Sequence, residues 1–270
     1  MNKLVPLPEA AALVRPGDTL ALGGMTLYRR PVAFVCELLR RALAHGDAQA
    51  TRPDNLTLLC FTAGYESDLL VGAGLIRRVR TCYFGLEAFG FAPMFTECAN
   101  RGALEIVEET EASLAFGLRA TLAGVGFMPG LGWLGTDLPR LRPDVRTVID
   151  PYSGEELMAF PAIQCDVAVI HALQADKTGN ARIGKNHGVD VELSLVARTV
   201  IITAEEVVEE LPTADVVGLT VAAVAHAPRG AWPTSCHPLY PVGGDELLRY
   251  VDDCGAGNFA AYAQRFLAYR

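Results

Sequence analysis

Short apolar runs recur along the chain at Thr19 to Leu22, Leu56 to Phe61, Arg80 to Phe84, Val167 to His171, Thr199 to Thr203 and Val221 to His226. Each run is apolar without clean alternation, the pattern of a strand buried on both faces, as in a parallel sheet covered by helices. Between the runs, Pro31 to Leu43 places apolar side chains at Phe34, Val35, Leu38, Leu39 and Ala42, and Ala112 to Ala123 carries a similar stripe. Spacings of three and four residues put these side chains on one helix face, and Pro31 suits a first helical turn, where no N–H is needed. Alternating β and α units predict an α/β fold, a mostly parallel sheet flanked by helices. Gly124 to Tyr152 breaks the rhythm, with many Gly and Pro residues and few long apolar runs. It is expected to be a long loop or an inserted hairpin rather than an interdomain linker. With no repeat of solenoid period, residues 1–270 are expected to form a single domain.

Composition narrows the function. The chain is 51% hydrophobic and 20% charged, with a net charge of -8 and a mean hydropathy of +0.25. No apolar run approaches the roughly 18 residues of a membrane span, so the apolar excess is expected between elements or against another subunit. An acidic chain without a basic block lacks the clustered Lys and Arg that counterion release on nucleic acid requires, which removes DNA and RNA as partners. Seven cysteines, at 36, 60, 82, 98, 165, 236 and 254, form no CxxC pair. That spacing argues against a disulfide framework and a zinc site, and free cysteines in apolar runs point to reducing cytoplasm. Met1 to Pro8 carry one lysine and no apolar h-region, so no secretory signal is expected and no membrane association either.

Three segments could carry chemistry. In the first, the Thr19 to Leu22 strand runs into Gly23-Gly24-Met25-Thr26 and then Arg29-Arg30-Pro31. Glycines beyond the carboxyl end of a strand let backbone N–H groups approach an anion, and the arginines add charge, although a tight βα turn explains the glycines equally well. The segment is neither GxGxxG nor a P-loop, which disfavours nucleoside triphosphate chemistry. The second, Tyr83 to Pro93, sets Glu87 among aromatics beside Gly90. A partly desolvated carboxylate there would gain nucleophilicity or basicity, against the plain alternative of a solvated strand end. Glu111, in Glu108-Glu109-Thr110-Glu111, is a second candidate, though an acidic helix N-terminus accounts for that run. The third, Val167 to Ala181, carries His171 and the turn Asp176-Lys177-Thr178-Gly179-Asn180. No serine has the flanking glycines of a nucleophile elbow, so a serine hydrolase is disfavoured. His226 and His237 match no zinc spacing, and no metal is assigned.

Together these segments resemble the A (α) subunit of the family I CoA-transferases, of the glutaconate CoA-transferase type. The resemblance covers nearly the whole chain. It is carried in order by Gly17-Asp18-Thr19 with Leu22-Gly23-Gly24 and Arg29-Arg30-Pro31, by Phe127-Met128-Pro129 and Leu134-Gly135-Thr136-Asp137, and by Asp166 to Ala172 with Asp176 and Gly179-Asn180-Ala181. Thr203-Ala204-Glu205-Glu206 and Ala227 to Ser235 continue it. The resemblance implies a CoA thioester as substrate, no separate cofactor, and a hetero-oligomer with a B-type subunit that acts on an acyl-CoA and a carboxylate. In such enzymes a glutamate attacks the thioester to give an acyl-glutamyl anhydride and then a glutamyl-CoA, a ping-pong route helped by oxyanion donors. That glutamate normally belongs to the B subunit. Glu87-x-x-Gly90-x-x-Pro93 looks like the B-type nucleophile segment but lacks its Glu-Asn-Gly turn, so Glu87 is either a shared position with another use or a carboxylate this chain contributes.

The competing reading from another reaction class is a CoA-thioester-dependent C–C, ring-cleaving hydrolase on the same scaffold, with a carboxylate such as Glu111 as base. A binding homologue that keeps the Gly23-Gly24 loop without catalysis is a third. In the transferase reading, Gly23, Gly24, Met25, Thr26, Arg29 and Gly90 are the expected substrate contacts, with Glu87 or Glu111 as catalytic carboxylate.

Overall fold

The computed structural model describes residues 1–43 and 52–270. The chain begins with α1 (Leu7–Ala11), β1 (Thr19–Leu22), α2 (Val32–Leu43), β2 (Leu56–Ala63), α3 (Tyr65–Gly72), β3 (Ile76–Phe84), α4 (Pro93–Asn100), β4 (Glu105–Glu108) and α5 (Glu111–Leu122). Next come β5 (Phe127–Gly130), α6 (Leu138–Leu141), β6 (Arg146–Ile149) and β7 (Glu156–Pro161). The last third holds β8 (Val167–Asp176), β9 (Ala181–Arg182), α7 (Asp190–Val196), β10 (Thr199–Val208), β11 (Val221–His226), α8 (Gly244–Gly255) and α9 (Phe259–Tyr269).

Among the described residues the main sheet has the order β11-β10-β8-β1-β2-β3-β4, parallel throughout, with β9 added antiparallel to β8. The central strands β1, β2 and β8 are apolar on both faces because both are covered. Leu20, Leu22, Leu58, Cys60, Val167 and Val169 pack in the cluster shared with α2, α3, α8 and α9. The residues between them, Ala21, Leu59 and Ala168, pack on the other side against Leu114 and Leu118 of α5 and Leu193 of α7. The α/β expectation holds, and the strand expectations for Thr19–Leu22 and Val221–His226 match to the residue. β8 and β10 run past the expected ends at His171 and Thr203, pairing as far as Val208 with Asp176. Past those ends polar residues such as Gln174, Glu205 and Glu206 enter the strands.

Gly124 to Tyr152 is more regular than expected. It supplies β5, α6 and β6, which with β7 form an antiparallel sheet in the order β5-β7-β6. Met158 and Phe160 of β7 are buried with Trp133, whose indole stands edge-on to Phe160 at 5.3 Å and donates to Thr110 Oγ1 at 2.9 Å.

The topology fixes where a ligand can sit. From β1 the chain winds outward through β2, β3 and β4, then returns to place β8 on the other side of β1. The switch point therefore lies between β1 and β8, and a crevice opens beyond their carboxyl ends.

Candidate active site

At that switch point β1 ends in the Gly23-Gly24 turn. The turn is built by long-range partners rather than left open. Gly23 N donates to Val169 O at 2.9 Å, and Gly24 N donates to both carboxylate oxygens of Asp190 at 3.0 and 3.1 Å. Gly24 has φ +87°, and a Cβ there would lie 2.6 Å from Arg29 O, so only glycine fits. Met25 and Tyr28 close a tight reverse turn through paired backbone hydrogen bonds of 3.0 and 2.7 Å, and Thr26 N donates to Thr62 Oγ1 at 2.8 Å.

The arginines face inward. Arg29 is fully buried and donates to Asp190 at 2.7 Å, to His171 O at 2.7 Å and to Asn186 O at 3.0 Å. Arg30, also fully buried, pairs with Glu66 at 2.6 Å and donates to Gly24 O at 3.0 Å. The expectation that Arg29 binds a substrate anion is corrected: its guanidinium is spent inside the fold. The same holds for the Gly23 and Gly24 amides, whose protons already have acceptors. These groups shape the turn.

Glu87 and Gly90 lie in a 3-10 turn at the end of β3, and both are exposed. Of the aromatics expected to desolvate Glu87, Phe84 stacks on Phe95 at 4.1 Å and Phe91 is 82% exposed, while the Tyr83 hydroxyl accepts from Glu87 N at 3.3 Å. Glu111 opens α5 and is also exposed, behind a Thr110–Ser113 capping box. Its neighbour Glu109 differs, being buried against Arg80 at 2.6 Å and Arg142 at 2.9 Å. The loop after β3 comes close to the Gly23-Gly24-Met25-Thr26 turn, since a Cβ on Gly64 would lie 2.9 Å from Thr26 O and 3.8 Å from Gly85 O. Neither Glu87 nor Glu111 is among the residues lining the cavity between Tyr28 and His237.

What lines the crevice is a cavity of 480 Å³ between Tyr28, Leu173, Gly184, Lys185, Asn186, His237 and Pro238. Its walls are largely apolar, with one ammonium, one imidazole and no carboxylate among the lining residues.

Beneath it lies a buried polar cluster. His171, fully buried on β8, meets Thr203 Oγ1 through Nδ1 at 2.8 Å and Glu205 Oε1 through Nε2 at 2.8 Å. Glu205 also accepts from Tyr240 Oη and, at 2.6 Å, from Arg229 N. Burial pushes the Glu205 carboxyl up, but the donors His171, Tyr240 and Arg229 N outweigh it and hold it below the usual range. Burial lowers His171, opposed by Glu205. The consistent arrangement is a neutral imidazole that donates from Nε2 to an ionised Glu205 and accepts the Thr203 hydroxyl at Nδ1. Donor atoms of His171, Glu205 and Cys236 lie within 4.8 Å of one another. Both His171 nitrogens and both Glu205 oxygens are already engaged, and burial pushes the Cys236 thiol up to about 12. The cluster is a closed hydrogen-bonded network rather than an open cation site.

Sequence reasoning passed over Asp190, Lys185 and Tyr240, and named Glu205 only within the Thr203 to Glu206 segment, with no role. For Glu205 a signal existed, since Thr203 and Glu205 extend an apolar strand with polar residues two apart, and Thr203 pairs in register with His171. All seven cysteines are free, and no helix among the described residues is long and apolar enough to cross a membrane.

Known proteins resemble the chain in sequence and fold. Residues 6–225 match the family model described as coenzyme A transferase. The chain is 34% identical to the A subunit of 3-oxoadipate CoA-transferase from Pseudomonas knackmussii, over 89% of this chain and 84% of that one. It is 32% identical to the A subunit of glutaconate CoA-transferase from Acidaminococcus fermentans, over 89% and 79%. It is also 30% identical to a cholesterol ring-cleaving hydrolase IpdA subunit of Rhodococcus jostii, over 92% and 85%. Among solved structures, the decarboxylase AibA/AibB superposes with a TM-score of 0.90 at 30% identity, covering 99% of this chain and all of that one.

Proposed function

The chain belongs to the coenzyme A transferase family, and from that premise we propose that it is the A subunit of a two-subunit enzyme that moves CoA from an acyl-CoA to a carboxylate acceptor. The observation that carries this reading is the composition of the crevice. It offers apolar walls, Lys185 and His237, but no carboxylate among its lining residues. Acyl transfer through an anhydride needs a nucleophilic carboxylate, and Glu87 and Glu111 are exposed and do not line this cavity. The crevice is therefore half a site, completed by a B-type chain that carries the glutamate.

In this reading Tyr28, Leu173 and Pro238 enclose the acyl chain, and Lys185 holds a carboxylate of the substrate or acceptor by charge. The partner's glutamate attacks the thioester carbonyl and expels the CoA thiolate, forming an acyl-glutamyl anhydride. The thiolate then attacks the glutamyl carbonyl, releasing the first carboxylate and leaving glutamyl-CoA, which the acceptor carboxylate opens by the reverse steps. CoA enters as substrate, and the chemistry asks for no further cofactor. The three-stranded sheet seated on α5 is read as an insertion within a single unit, and the free cysteines as those of a cytoplasmic protein.

A second reading, a CoA-thioester-dependent hydrolase of carbon–carbon bonds, is favoured by the similarity to the ring-cleaving hydrolase. Co-expression with the adjacent reading frame, native mass measurement and an acyl-CoA panel test both. Label exchange between acyl-CoA and free carboxylate without net hydrolysis supports the transferase. Net ring opening or hydrolysis without exchange overturns it.

A further inference from the structure

A closed ring of hydrogen bonds runs behind the crevice, and its members come from β8, β10 and the segments that follow β1 and β11. Glu205 Oε1 meets His171 Nε2 at 2.8 Å, and His171 O accepts from Arg29 Nη1 at 2.7 Å. Arg29 N donates to Ser235 O at 2.7 Å, Cys236 N donates to Tyr240 O at 3.0 Å, and Tyr240 Oη returns to Glu205 Oε1. Crevice residues hang from this ring at three points: Tyr28 beside Arg29, Leu173 two residues beyond His171, and His237 with Pro238 directly after Cys236. Glu205 itself does not line the crevice. Its side chain is 7% exposed, and it is an acceptor at which three donors from two other segments converge.

We propose that Glu205 is a positioning residue that fixes the separation of the crevice walls, holding Tyr28 on one side and His237-Pro238 on the other through His171 and Tyr240. The inference rests on reading the crevice as the acyl site. An ionised carboxylate suits the place because it accepts from all three donors at once, which neither an amide nor a hydroxyl can do. Packing leaves the ring no slack: a Cβ on Gly230 would lie 2.6 Å from Cε1 of the His171 imidazole.

The test is Glu205→Gln in the complex with its partner chain, read by hydrogen–deuterium exchange and by steady-state kinetics on the best acyl-CoA of the panel. The glutamine amide turns an N–H toward donors that need an acceptor. Exchange in segments 25–30 and 235–240 is expected to rise about tenfold relative to β2, and KM about tenfold with kcat held within about threefold. Tyr240→Phe keeps the shape while removing one donor to Glu205 and the acceptor of Ala231 N, so it carries the test if Glu205→Gln fails to fold, with smaller shifts in the same two segments. Glu205→Asp, which keeps the charge but shortens the reach, is expected to recover part of the protection. Unchanged exchange in both variants overturns the ring as a positioning device. Loosened segments with an unmoved KM overturn the crevice as the acyl site, and with it the role of Glu205 toward substrate.

Discussion

The buried pair of Arg29 and Asp190 makes the sharpest stability prediction. Both side chains are essentially inaccessible, at 0% and 1%, and 2.7 Å apart. Asp190→Asn keeps the volume and one acceptor oxygen but removes the charge that balances Arg29. The guanidinium would then keep only neutral acceptors, among them the carbonyls of His171 and Asn186, and its Nε already lacks a partner. Breaking a buried pair from one side costs about 3–5 kcal/mol, because the surviving charge stays buried without compensation. The Gly24 N–H also loses one of its two acceptors. For a chain of this size the loss corresponds to a fall in Tm on the order of 10 °C. Replacing both partners by apolar residues, Arg29→Met with Asp190→Leu, removes the stranded charge, so the double variant is expected to be more stable than Asp190→Asn. Urea unfolding followed by far-UV circular dichroism measures all three proteins. A loss below about 1 kcal/mol for Asp190→Asn, or a double variant no better than the single, would refute the claim that the turn is held by a desolvated ion pair.

Two further outcomes follow from the same physics. Burial pushes Asp176 up, but hydrogen bonds from Thr178 and Asn180 outweigh it and bring it down to about 2. A folded pKa below the unfolded one stabilises at neutral pH, and the effect is lost as pH falls from about 4 through 2. Asp176→Asn is therefore expected to cost about 2 kcal/mol at pH 7 and nothing comparable at pH 2, read from urea midpoints at the two pH values. Lys185→Ala is expected to raise KM for a carboxylate-bearing substrate about tenfold with kcat nearly unchanged, and the wild-type KM should rise with salt while the variant's does not.

The strands buried on both faces were legible because that burial forces a local signature, as in Thr19–Leu22 and Val221–His226. β4, β5 and β6 were not, because three of the four residues in β4 and in β6 are exposed, as are two of the four in β5, and no apolar pattern marks them. The position of the Gly23-Gly24 turn could be read from the sequence, but its use could not. The acceptor for Gly24 N is Asp190, 166 residues away, and no local rule shows that a glycine amide and an arginine will both be consumed by one distant carboxylate. The surroundings of Glu87 were not legible for a related reason: adjacent aromatics desolvate a carboxylate only if they fold over it, and Phe84 and Phe91 do not, whereas the Tyr83 hydroxyl meets Glu87 N.

The central claim is that this chain supplies a crevice and its partner supplies the nucleophile. It is tested most directly by incubating the assembled complex with acyl-CoA, trapping the covalent intermediate with borohydride or hydroxylamine, and mapping the modified peptide. A label confined to a glutamate of the partner chain is the expected result. A label on Glu87, or on any other carboxylate of this chain, would contradict it.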